Sequence, residues 1–186
     1  MDAAFGWIGQ IFQAILRIFP LLVVVPATHA GVAFVHGHRV KEWRAGLHVY
    51  WPLVTTYRVM AVVRQTQMIR SKVVMTRDLK TVIVGALVTY YVDDIVAALT
   101  KIADLPSDVM ERSMEAILSA VSEGTLAEIQ ADRAQFNRDM TEKVGKALNG
   151  YGVRVLQSQL TEFAPCRAFA LTGHTAVGQY NLWTGF

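Results

Sequence analysis

His36 and His38 flank Gly37, a spacing that puts both imidazoles on one side of an extended chain, close enough to share a metal ion. A structural zinc site takes four ligands and a catalytic one three. No third ligand accompanies this pair, so no metal is assigned. Cys166 is the one cysteine, which excludes an internal disulfide and a multi-cysteine zinc site. It adjoins Arg167 but has no base beside it, and it reads as a small hydrophobe. Asp93 and Asp94 look like a carboxylate pair, yet adjacent side chains diverge on a strand, and Asp94 is placed to cap a helix. Gly-rich phosphate loops, nucleophile elbows and H-E-x-x-H are missing. No catalytic residue and no cofactor follows, and the chain is not read as an enzyme. Arg133 is the most informative charge, because it falls on the apolar stripe of its helix. A buried guanidinium needs a partner. A structural ion pair with a sheet carboxylate is expected; the alternative is a side chain that snorkels to the rim.

Composition narrows the class. Of 186 residues, 53% are hydrophobic and 18% charged. Disorder requires the reverse balance, and soluble domains carry about a quarter charged residues. The shortfall points to a membrane-contacting or heavily buried chain. A net charge of +3, scattered along the sequence, does not mark a nucleic-acid binder.

The excess hydrophobicity sits in residues 3–25. Asp2 comes first and no A-x-A site follows, so a secretory signal is not expected. A helix over Ala4 to Phe19 would be roughly 24 Å long, short of the roughly 30 Å hydrocarbon core. Adding Leu21 to Val25, with Pro20 as a kink, gives enough length to span. Gly6, Gln10, Gln13 and Arg17 form one narrow polar stripe. Phe5, Trp7, Ile8, Ile11, Phe12, Ile15, Leu16 and Phe19, together with Ile18, cover the remaining circumference. Such a helix contacts a bilayer either in its plane or across it, or else packs on its own domain. Arg39, Lys41 and Arg44 surround Trp43 just beyond. They are candidates for lipid head groups, or form an ordinary solvated turn. By the positive-inside bias the main body faces the cytoplasm.

The body reads as strands first, then helices. Residues 21–25, 31–35, 48–54, 57–68, 72–76 and 81–92 are apolar or alternating runs with turn residues between them. From residue 93 the period becomes helical. Asp94 caps a short helix, Pro106-Ser107 opens a second and Gly124 stops it. Thr125 to Glu128 is a capping box that starts a third helix running to Asn149. Its stripe is Leu126, Ile129, Arg133, Phe136, Met140, Val144 and Leu148. Residues 153–160 return as a strand. The fold class is α+β, a mostly antiparallel sheet packed with helices.

Ala45-Gly-Leu-His-Val-Tyr-Trp-Pro-Leu-Val54 resembles a segment of the SPFH family (stomatin, prohibitin, flotillin and bacterial membrane-protease regulators). Arg64-Gln-Thr-Gln67, Thr76-Arg-Asp78, Tyr90-Tyr-Val-Asp-Asp94, Thr125-Leu with Arg133, and Tyr151-Gly-Val-Arg-Val155 are similar to later motifs of that family, in the same order. The resemblance implies an SPFH domain over residues 26–163, preceded by a membrane-anchoring helix and first strand in 1–25. It departs at Ala45 and Ile95, where the family has proline. Residues 164–186 contain glycines and no heptads, so the family's coiled coil is not expected there. By resemblance the chain is a membrane-anchored homo-oligomer that organises a microdomain or regulates a membrane protease or channel. The competing reading is a soluble α+β module that binds a ligand or peptide.

Overall fold

Strand β7 (Thr81–Val92) is the spine of the domain. Its sequence alternates, and its burial alternates with it: Val82, Val84, Ala86, Val88, Tyr90 and Val92 all point into the core. In this computed structural model, which describes residues 19–166, β7 pairs antiparallel with β6 (Gln65–Met75) on one side and β8 (Val153–Pro165) on the other. Two helices, α2 (Leu105–Glu123) and α4 (Arg133–Ala147), lie against β6 and β8 respectively and pack on each other. Val109, Ile117, Val121, Met140 and Val144 fill the space between helices and sheet.

The first strands build two smaller sheets. β1 (Leu21–Val25) pairs with β4 (Gly46–Tyr50) as a two-stranded ribbon. β2 (His29–Val35) is the centre of a three-stranded sheet, between β3 (Arg39–Trp43) and β5 (Thr55–Ala61). One face of that sheet carries Val32, which joins the main core; the other carries Ala33 and Trp43, which form a second core with Val25 under the ribbon. Helix α1 (Ile95–Lys101) packs against β2 and β3. The α+β reading with a mostly antiparallel sheet therefore holds.

Three local expectations change. The charged segment around Arg39 is a strand rather than a solvated turn, because Val40 and Trp43 have partners on β2. Residues 65–75 form one strand with an irregularity between Ile69 and Lys72 where two were expected. The long third helix is interrupted. Asp132 leaves helical geometry (φ −136°), and its side chain accepts the Gln135 N–H at 2.8 Å. An aspartate capping the helix that follows it outweighs the uninterrupted apolar period. The result is a short α3 (Leu126–Ala131) followed by α4. The capping box at Thr125 and Glu128 forms as expected.

Candidate functional site

The β1–β4 ribbon has one wet face, and that face is apolar. Register pairs Leu22 with Val49 and Val24 with Leu47, so all four side chains share a face. Their exposures are 66%, 63%, 69% and 63%. A solvated strand face ordinarily alternates polar-out; here valine and leucine take those positions. Trp51 and Leu53, in the loop that leaves β4, and Phe19, where the chain enters β1, are exposed as well. Contiguous exposed apolar surface of this kind marks an interaction site.

Beneath the ribbon the packing is aromatic. Trp43 is 3% exposed and stacks on His48 with ring centroids 4.9 Å apart. Tyr57 lies 5.4 Å from Trp43, and Tyr50 meets Tyr57 edge-on at 4.9 Å. The His48 Nε2–H donates to the Arg44 carbonyl at 2.7 Å, which fixes its ring. Burial, and then Tyr57, push the Tyr50 phenol above its ordinary value. The inner ribbon face thus has a rigid seat, and the outer face is held flat and exposed. Trp43, flanked in sequence by the charged candidates for lipid head groups, is a core residue.

The other expected residues fall as follows. Phe5, Trp7, Ile8, Ile11, Phe12, Ile15 and Leu16 lie outside the described residues. Phe19 is exposed at the start of the ribbon. Arg39 and Lys41 are exposed on β3, and Arg44 contacts Glu42 at 3.4 Å. His36 and His38 occupy the β2–β3 turn rather than a strand, His36 with φ +55°. Among the described residues no group of three His, Cys, Asp or Glu side chains could hold a metal ion. No helix among them is long and apolar enough to cross a membrane. Arg133 does not meet a carboxylate there. Its guanidinium donates to the Leu160 carbonyl at 3.3 Å, so its partner is the free edge of β8.

Four of the later motifs that carried the resemblance meet in space as two clasps. Asp78, in the turn after β6, accepts from the Thr76 hydroxyl at 2.6 Å and from the Leu126 N–H at 3.2 Å. It therefore caps helix α3 from 48 residues away. Arg77 reaches Glu128 of the same helix at 3.0 Å. The Gly152 carbonyl accepts the N–H groups of Asp93 and Asp94 at 2.9 and 3.0 Å, while Arg154 pairs with Asp93 at 2.8 Å.

Comparison with known families agrees with this arrangement. The model of the SPFH domain / Band 7 family matches residues 23–170. The chain belongs to the SPFH family. Its members are generally membrane-associated scaffolds rather than enzymes. The chain is also similar to an uncharacterized protein of Archaeoglobus fulgidus, 24% identical over 156 residues. That alignment covers 84% of this chain and 63% of the archaeal protein. In this SPFH domain the later motifs hold β-turns against helix ends, while the first, Ala45–Val54, supplies β4 and with it one strand of the exposed apolar ribbon. Sequence reasoning missed the ribbon face. The signal available was Leu22, Val24, Leu47 and Val49 at alternate positions of two strands, which becomes legible only once β1 is known to pair with β4.

Proposed function

We propose that this chain is a non-enzymatic scaffold held on a lipid bilayer, its main body on the cytoplasmic side. Copies associate side by side and confine a patch of lipid and membrane proteins, a membrane protease or channel among them. The observation that carries this reading is the apolar outer face of the ribbon, whose first strand follows in sequence the apolar segment ending at Phe19. Each fully buried Leu or Val side chain contributes roughly 1.5–3 kcal/mol, and shallow contacts from many copies multiply as avidity.

The experiment is flotation of the intact chain with lipid vesicles, followed by chemical cross-linking of the bound fraction. Expected are co-flotation, cross-linked multimers, and release from the vesicles when residues 1–20 are deleted. An intact chain that stays in the unbound fraction as a monodisperse monomer would overturn the proposal.

A further inference from the structure

We infer that the ribbon face selects an anionic lipid leaflet, an inference that rests on the membrane-docking reading above. Charge is divided unevenly along the described chain. Residues 19–92 carry nine Lys/Arg against two Asp/Glu, whereas residues 93–166 carry seven against twelve. The first stretch builds the ribbon, the sheet beneath it, and strands β6 and β7; the second contains β8 and all four described helices. Of the nine cations, Arg44, Arg77 and Lys80 each reach a carboxylate. Arg39, Lys41, Arg58, Arg64, Arg70 and Lys72 form no ion pair among the described residues.

Two of these six lie on the side of the three-stranded sheet that the ribbon covers. Arg39 and Lys41 alternate with Val40, so they share a face of β3 with Trp43. That is the face the ribbon covers, since Trp43 stacks on His48 of β4. Arg39 also follows the turn in which the His36 N–H donates to the Val54 carbonyl at 2.7 Å, next to Trp51 and Leu53. The two cations therefore lie on the same side of that sheet as the ribbon whose outer face carries Leu22, Val24, Leu47 and Val49. Neutral lipid would satisfy the leucines and valines and leave the cations without a counter-charge. The acidic helices of a second copy would satisfy the cations and leave the apolar face wet. An acidic leaflet satisfies both. Each basic residue near such a surface strengthens binding about fivefold, and salt screens that part alone.

The test uses the intact chain with vesicles of phosphatidylcholine alone and of phosphatidylcholine mixed with phosphatidylglycerol. Partition onto the mixed vesicles should exceed that onto the neutral ones by roughly tenfold or more, and the excess should collapse at ~1 M salt. The double variant R39Q/K41Q, both positions exposed, should lose most of the excess while binding neutral vesicles as before. Equal partition onto both vesicles would overturn the charge selection and leave membrane docking standing. Absence from both would overturn the docking reading itself. Equal partition, together with self-association without lipid that R39Q/K41Q abolishes, would assign the cations to a second copy and overturn the inference.

Discussion

The side-chain oxygen of Asn137 accepts the backbone N–H of Leu160 at 3.1 Å, across the boundary between helix α4 and strand β8. It is the middle of three such contacts. One turn before it Arg133 donates to the Leu160 carbonyl, and one turn after it the Thr141 hydroxyl accepts the Ser158 N–H at 2.9 Å. The spacing of four places all three on one helical face, and that face closes the edge that β8 would otherwise leave open. Because Leu160 is buried, an orphaned amide there is costly. Asn137→Leu is expected to destabilise the domain by roughly 1–3 kcal/mol. Arg133→Met should cost less than about 1 kcal/mol, because Arg133 is exposed and its bond to the carbonyl is long at 3.3 Å. Urea denaturation of the two variants side by side checks the order; an equal or larger loss for Arg133→Met would show that the guanidinium holds more than a strand edge.

This contact also shows what the sequence could disclose. The stripe through Ile129, Met140, Val144 and Leu148 predicts a helix and its buried face, and those residues are buried. The polar row Arg133, Asn137, Thr141 has helical spacing too, but its partners are main-chain groups of a strand. Backbone acceptors carry no side-chain signature, so a carboxylate looked like the necessary mate for Arg133. The same holds for Trp43: its neighbours in sequence are charged, while its neighbours in space are His48, Tyr50 and Tyr57. Pairings between consecutive strands follow from turn residues. The β1–β4 pairing encloses β2 and β3 in the sequence between its strands, and no local pattern announces it.

A pH prediction follows from Asp78. The Thr76 hydroxyl, then Lys80 and the Leu126 amide, hold its carboxyl at about 2 against a usual 3.8. A carboxylate depressed by folding contributes stability that is complete above 3.8 and lost as pH falls through about 2. Asp78→Asn keeps an acceptor oxygen but not the charge. Its melting temperature should lie below that of the parent protein by about 2–4 °C near neutral pH, and the two curves should converge as pH approaches 2. Thermal melts across that range decide it; a constant gap down to pH 2 would mean the charge of Asp78 is immaterial.

Gly152 makes a backbone prediction. It sits at φ +75°, and a Cβ there would fall well inside contact distance of the Asp94 carbonyl and 2.8 Å from the Ala98 N–H. Both obstacles are main chain at the start of α1, so neither can rotate away. Gly152→Ala should cost about 3 kcal/mol, the sum of left-handed strain and overlap. Gly145→Ala is the control: no atom beyond the helix's own adjacent backbone lies within 4 Å of the place its methyl group would take, and inside helix α4 the change should be neutral or stabilising by up to about 1 kcal/mol. Chemical denaturation of both variants provides the comparison, and a tolerant Gly152→Ala would show that the α1 clasp is not rigid.

The ribbon separates function from folding. Leu22 and Val49 face each other across β1 and β4 and are both mostly exposed, so their loss removes little from the folded core. Surface substitutions of this kind usually change stability by no more than about 0.5 kcal/mol. Transfer of the same two side chains into hydrocarbon is worth several kcal/mol if complete, and even partial insertion leaves a tenfold effect within reach, since each tenfold needs about 1.4 kcal/mol. Leu22→Ser with Val49→Ser is therefore expected to unfold in urea like the parent protein and yet to bind vesicles roughly tenfold more weakly. Ala33 and Trp43 provide the contrast from the opposite side of the ribbon, where both are buried: Trp43→Ala should cost about 3–5 kcal/mol of stability. If the double serine variant bound vesicles as tightly as the parent chain, the apolar face would have no part in membrane contact, and its exposure would need a different occupant.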